Sequence, residues 1–211
     1  VRFDTDDINA KDRLIKQLPI IKRKKNIAVI GSFVNEFIPT QNKKLSIRIK
    51  KAPPMKFIKR NMNFYNPMNH PTVILRRKAL ETISYSDMRY FEDYYLWLRL
   101  KRNGWDFDNV QEALVFMKVD EFYEKRWGFE YARHELKFAK QIFTEKLIPL
   151  YFLPIFCFRI ISRLIISILS LSYSKSDIFG LSCPKYSLLC NFSSLIFFLY
   201  CFVTSIFSVI T

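Results

Sequence analysis

The stretch VRFDTDDINAKDR (residues 1–13) decides how the rest of the chain is read. It sets Asp4, Asp6 and Asp7 almost side by side, after the apolar Phe3 and before Ile8, where a strand ends and a turn begins. Carboxylates crowded in this way repel one another unless a hard cation neutralises them. Mg2+ or Mn2+ takes oxygen ligands and keeps positions for the phosphates of a substrate. The acids therefore read as a divalent-metal seat whose ligand is a diphosphate. Asp clusters also cap helices and form Asx turns, so the trio alone leaves that plainer reading open.

The acids stand out because the chain is basic. Its 34 Lys and Arg outweigh 19 Asp and Glu, for a formal net charge of +15. With 211 residues, 50% hydrophobic and 17% aromatic, it is no disordered polyelectrolyte and is long enough for one domain with a real core plus an appendage. Four glycines and nine prolines, without an internal period, exclude collagen-like and solenoid architectures. Runs such as Lys22-Arg23-Lys24-Lys25 and Lys50-Lys51 suit an anionic membrane surface or a phosphorylated substrate, with a merely solvated basic surface as the plainer reading of each. No nucleic-acid partner is expected, because no recognition motif is present and the basic groups scatter over loops instead of forming a stripe.

Residues 8–25 carry Ile and Leu at helical spacing as far as Pro19 and then turn basic. NIAVIGSFVNEF (26–37) reads as a buried strand, and residues 39–60, broken by Pro53-Pro54, as a surface loop or excursion. PTVILRR (71–77) looks like a short strand leading into the helix-prone RRKALETI. YFEDYYLWLRLKRNG (90–104) fits a helix with Leu96, Trp97 and Leu100 on an apolar stripe, stopped by Gly104. DNVQEALVFMKV (108–119) supplies one more strand.

The expected organisation is a catalytic domain over 1–120, a charged helical segment over 121–146, amphipathic interfacial helices over 147–175 and an apolar tail over 183–211. In the third of these, Arg159 and Arg163 lie four apart on an otherwise apolar helix, a pattern expected to meet lipid headgroups, with a core helix whose arginines reach out to water as the alternative. The stretch from Ser187 to the end is uncharged and long enough to be a transmembrane candidate. Cys157, Cys183, Cys190 and Cys201 show no CxxC spacing, so buried or lipid-facing thiols are expected and not a zinc site or disulfide framework. Val1 leads straight into charged residues with no secretory signal, and the natural beginning is expected to be absent.

A second constellation lies at the start of the helix near residue 92. Glu92 and Asp93 sit between aromatics there, which holds a carboxylate in place and suits a general base, although helix N-termini also favour acids for their dipole alone. No Ser-His-Asp arrangement competes for the chemistry.

Taken together, DTDDI-x4-R-x3-Q, then IAVIGS, NHPTV and ED-x2-LWLRL, in that order over about residues 2–120, resemble the family 2 inverting glycosyltransferases of bacterial capsular, lipopolysaccharide and exopolysaccharide biosynthesis. The resemblance implies an α/β fold, the C-terminal part of a GT-A fold with a mixed sheet flanked by helices, followed by apolar membrane-associating helices. It implies that Asp4-Thr5-Asp6 is the DXD motif, with Asp6 and Asp4 on Mg2+ or Mn2+ and Asp7 near the same nucleotide diphosphate. Asp93 would be the catalytic base and Glu92 its neighbour, orienting acceptor or helix. His70, Thr72 and Trp97 would bind substrate, and Arg126 would meet the leaving diphosphate. The implied partners are a nucleotide-sugar donor, a UDP-sugar first among them, and a lipid-linked oligosaccharide acceptor at the cytoplasmic face of the bacterial inner membrane, with the protein peripheral or single-span. The family's upstream nucleotide-binding half is not matched, which leaves an inactive membrane-associated fragment as the alternative. Tyr95 stands where the family's ED block carries an acid, a departure expected to touch acceptor specificity.

Overall fold

The computed structural model describes residues 1–39, 44–118 and 129–177. The elements run β1 (Ile8–Asn9), α1 (Arg13–Arg23), β2 (Ile27–Pro39), β3 (Lys44–Lys50), α2 (Met55–Asn61), a 3-10 turn (His70–Thr72), β4 (Ile74–Leu75), α3 (Arg77–Leu80), α4 (Glu92–Arg102), β5 (Asp106–Lys118), α5 (Phe129–Thr144), a second 3-10 turn (Leu150–Phe152) and α6 (Leu153–Asp177).

The sheet is mixed. Its path is β1-β5-β2-β3, with β4 also paired to β2. β2 and β5 run parallel, from Ile27 opposite Asp106 to Phe37 opposite Lys118, while β1, β3 and β4 pair antiparallel. The parallel pair is buried at its start, with Ile27, Ala28, Val29, Ile30 and Phe107 in the core, as expected for strands covered on both faces. The segment expected to be a surface excursion instead contains β3, which extends the sheet as a hairpin partner of β2.

Helix α4 is the centre of the molecule. Tyr94, Tyr95, Leu96, Trp97, Leu98 and Leu100 are all buried, so the helix is enclosed and not merely striped. Gly104 ends it at a φ of 83°, the left-handed conformation that glycine adopts without steric cost. The same core continues through Phe138 and Ile142 of α5 and Ile155 and Phe156 of α6, with the Phe91 and Phe138 rings stacked at 4.7 Å.

The arginines of helix α6 that the sequence sets on one face, Arg159 and Arg163, point inward, and each approaches an oxygen of Glu135 at 2.5 Å, a carboxylate with none of its side chain exposed. The physical reason lies on α5, where Glu135 occupies a core-facing slot and a buried carboxylate requires cationic partners. The outward face of α6 carries Leu153, Ile161 and Ile165, and Cys157 is exposed there. Among the described residues, no helix is long and apolar enough to cross a membrane. The uncharged stretch 187–211 and Cys183, Cys190 and Cys201 lie outside the described residues.

Candidate active site

A cleft of about 440 Å³ opens where the loop before β1, the end of the β2–β5 pair and the start of α4 meet. Its position, beyond the carboxyl ends of parallel strands, is where open α/β sheets bind ligands.

The loop contributes Arg2 and Asp4. A buried relay shapes this loop from behind. Arg13, only 1% exposed, donates to the Arg2 carbonyl at 3.1 Å, to Gln17 Oε1 at 3.1 Å and to Asn9 Oδ1, and its guanidinium lies 5.1 Å from the Phe3 ring centre. Arg2 reaches forward, with Nη2 3.0 Å from one oxygen of Asp4 and Nη1 3.3 Å from His70 Nε2. Asp7 turns the other way and accepts the Lys118 backbone N–H at 3.3 Å, tying the loop to the end of β5. Burial raises the Asp7 carboxyl above its ordinary range; the Lys118 bond opposes this and the charges of Asp6 and Asp4 add to it. Asp6 is exposed at the loop tip and does not line the cleft.

The start of α4 contributes Glu92 and Asp93. Asp93 is held at both oxygens, accepting from Asn66 Nδ2 at 2.7 Å and from the Tyr94 backbone N–H at 2.7 Å. The turn that aims these acids passes through Tyr90, whose φ of 71° is a left-handed conformation that is strained for a bulky residue and tends to persist at functional sites. The Tyr90 ring is braced against Tyr131 at 5.1 Å and His134 at 5.4 Å.

His70 links the two acidic groups. Burial lowers its pKa below the usual imidazole value; the Asp93, Asp4 and Glu92 charges pull it up and Arg2 pushes it down. Its Nε2 lies 2.9 Å from the Tyr85 hydroxyl as well as near Arg2, two donors converging on one nitrogen. That arrangement assigns Nε2 as the acceptor and the proton of the neutral ring to Nδ1.

Of the other expected substrate residues, Thr72 and Trp97 are fully buried and stand behind the cleft wall. Thr72 Oγ1 donates to the Asn69 carbonyl at 2.7 Å and accepts the Ser32 N–H at 2.9 Å, and Trp97 meets the His70 ring edge-on at 6.0 Å. Tyr95 also points away from the cleft, its hydroxyl bonded to Glu145 at the end of α5, so this departure from the family pattern does not alter the cleft lining. Arg126 lies outside the described residues.

Several lining residues carried no sequence motif: Asn66, Tyr90, Tyr131 and Arg159. For Arg159 a signal existed. Tyr131, Glu135, Phe138 and Ile142 fall at helical core spacing, and a glutamate in that series demands a cation from a neighbouring helix.

Among the described residues, no three His, Cys, Asp or Glu side chains group so as to hold a metal ion by themselves. Asp4, with its carboxylate facing the cleft beside two further acids of the same loop, fits the other mode, in which a hard cation uses one or two carboxylates and completes its shell with substrate phosphates.

The cleft thus sets the doubly held Asp93 carboxylate at one wall and Arg2 and Asp4 at another. The chain is 30% identical, over 175 residues, to the UDP-Gal:alpha-D-GlcNAc-diphosphoundecaprenol beta-1,3-galactosyltransferase of Escherichia coli, a match covering 82% of this chain and 62% of that protein. It is 30% identical to the amylovoran biosynthesis glycosyltransferase AmsE of Erwinia amylovora (64% of this chain, 51% of that protein) and to an uncharacterized glycosyltransferase of Haemophilus influenzae (66% and 52%). No family model matches the chain. The chain is therefore related to bacterial glycosyltransferases, one of them of amylovoran biosynthesis, and it spans roughly half to three-fifths of the length of these relatives.

Proposed function

We propose that this chain is the acceptor-side part of a GT-A-type, inverting glycosyltransferase that moves a sugar from a nucleotide diphosphate to a hydroxyl of a lipid-linked saccharide. The observation that carries this reading is that Asp4 and Asp93 face one cleft, with His70 sensing both charges.

Asp93 accepts the proton of the acceptor hydroxyl as its oxygen bonds to the anomeric carbon of the donor. The bond from that carbon to the diphosphate oxygen breaks, and the nucleotide diphosphate leaves with the electron pair. One displacement inverts the centre, so no nucleophilic side chain is needed. Asn66 and the Tyr94 N–H keep the Asp93 carboxylate oriented for this step. Asp4 would hold Mg2+ or Mn2+, which when bound would neutralise charge on the departing diphosphate. Arg2, now clamped on Asp4 and His70, is placed to exchange to a phosphate oxygen. Neutral His70 offers a hydrogen bond to a sugar hydroxyl without adding charge.

The acceptor proposal draws on the E. coli relative, whose name gives GlcNAc-diphosphoundecaprenol as the molecule it acts on. The protein is proposed to lie peripherally on the anionic cytoplasmic leaflet. Leu153, Ile161 and Ile165 are exposed on α6, Leu150 and Tyr151 are exposed on the 3-10 turn that leads into it, and the +15 charge favours an acidic bilayer.

The test is a donor screen on the natural full-length protein with Mn2+, membrane extract and a panel of nucleotide sugars, scored by nucleotide release. Release above background with one donor class supports the reading. A folded protein releasing nucleotide from none of them overturns it.

A further inference from the structure

Resting on the transferase reading, we infer that Arg159 binds the diphosphate of the acceptor, and that Glu135 is the positioning residue that holds it there.

Arg159 belongs to α6, far along the chain from the acidic motifs, yet its side chain forms part of the cleft wall beside Tyr131 and Tyr94. Its orientation is fixed from two directions. Nη1 donates to the Phe64 carbonyl at 3.1 Å, and Nη2 lies 2.5 Å from Glu135 Oε1. The other Glu135 oxygen is held by Arg163, whose guanidinium sits 4.4 Å from the Tyr131 ring centre. These Glu135 contacts are close ion pairs and not linear hydrogen bonds. A wholly buried carboxylate is costly where a leucine would pack well. What it secures here is a guanidinium locked in place at a substrate cleft. The planar guanidinium fork matches phosphate oxygens, and a pre-ordered one loses little freedom on binding.

Two diphosphates enter the proposed reaction, and location selects between them. The donor diphosphate belongs with Asp4 and Arg2. Arg159 lies on the base's side, because one short loop segment touches both: Phe64 accepts from Arg159, and Asn66, two residues on, donates to Asp93. The backbone positions of these two residues are at most about 7 Å apart, so the guanidinium and the base are anchored to one short stretch of the cleft wall. That shared anchorage suits a sugar whose attacking hydroxyl is at the base while its anomeric diphosphate lies across the ring. The Arg159 face of α6 is also the reverse of its exposed apolar face, so a lipid-borne acceptor rising beside the helix meets this guanidinium at the cleft.

The test uses the natural full-length protein, the donor that supports nucleotide release, and two acceptors carrying the same N-acetylglucosamine, one as an alkyl diphosphate and one as a neutral alkyl glycoside. Arg159→Gln is expected to raise KM for the diphosphate acceptor tenfold or more, with KM for donor and for the neutral glycoside within twofold of the parent. Glu135→Gln is expected to shift the same parameter in the same direction by a smaller factor, and Arg159→Lys, which still gives Glu135 a cation, to recover part of the loss at an unchanged thermal midpoint. Equal KM increases for both acceptors, an increase confined to the donor, or no change in Arg159→Gln each overturns the inference. In all three the unmodified protein still releases nucleotide, whereas failure of the transferase reading itself shows as no release in that protein.

Discussion

Gln17 donates its side-chain amide to the carbonyl oxygen of Thr72 at 2.9 Å, across 55 positions of sequence and inside the core. This one bond joins the helix that follows the acidic loop to the turn that carries His70. Arg13 extends it toward Asp4 through the Arg2 carbonyl, and Thr72 extends it to Ser32 and Asn69. The spaced residues that made the sequence resemble a family, Arg13, Gln17, Ser32 and Thr72, are thus one buried polar network whose rim presents Asp4 and His70. Every member is partnered, and satisfied networks of this type fix a single arrangement of the groups they support.

Asp93→Asn is expected to lower turnover by about 100-fold or more, the usual contribution of a positioned general base, with donor KM unchanged. The amide keeps the size of the carboxylate but accepts at only one of the two positions that Asn66 and Tyr94 donate to, and it cannot take a proton. Steady-state kinetics at saturating acceptor decides it; turnover within a few-fold of the parent removes Asp93 from the role.

Asp4→Ala is expected to weaken Mn2+-dependent nucleotide binding more than Asp6→Ala, because Asp4 faces the cleft and Asp6 sits at the exposed loop tip. A loss of about tenfold in Asp4→Ala corresponds to about 1.4 kcal/mol. Calorimetric titration of nucleotide with and without Mn2+ measures it. A larger loss in Asp6→Ala would mean that the loop turns over to engage its ligand.

How much of this was legible before the structure follows from where each signal is written. Helix α4 announces itself locally, by acids in its first turn and Gly104 at its end, and its boundaries could be read. The hairpin partner β3 could not, because KLSIRIK places its Leu and Ile between Lys and Arg, and basic side chains on an edge strand disguise the alternation that marks it. The acidic loop and the Glu92-Asp93 pair were visible as chemistry, but their shared cleft depends on a buried relay between distant segments. Arg159 was visible as a residue, but its inward partners were not. An apolar helix with two arginines fits lipid and core equally, and the residue that decides, Glu135, is on another helix.

Gly31→Ala should destabilise the fold. A Cβ at this position would lie 2.5 Å from Asn109 Oδ1, 3.1 Å from Thr72 Oγ1 and 3.2 Å from Met68 Cε, and Asn109 is itself buried with little room to move. Overpacking of this kind costs about 1–3 kcal/mol. A urea midpoint equal to that of the parent would show that the strand shifts without loss.

Lys101 gives the fold a pH dependence. Burial, reinforced by Lys59, lowers its pKa from 10.5 to about 8, while its ammonium donates to Asn63 at 2.7 Å. Between these two values the unfolded chain holds a proton that the folded chain has released, so stability rises with pH across that window. Below about 8 the buried ammonium carries its desolvation cost. Lys101→Met is therefore expected to stabilise the protein at neutral pH by about 1–2 kcal/mol and to flatten the rise in alkali. Denaturant unfolding at a series of pH values tests both, and a variant less stable than the parent at neutral pH refutes the prediction.

The outward face of α6 yields the last prediction. Ile161 and Ile165 are one helical turn apart, exposed, and on the side away from Glu135. If this face lies on a bilayer, replacing both with Glu removes apolar burial and adds repulsion from acidic headgroups. Co-sedimentation with vesicles rich in phosphatidylglycerol should fall by about tenfold or more, since each isoleucine contributes on the order of 1 kcal/mol or more when buried. Nucleotide release with a short-chain, water-soluble acceptor should stay near the parent value, because neither side chain lines the cleft. Vesicle binding that survives the double substitution, at unchanged salt, would detach membrane association from this helix and leave the basic surface to account for it.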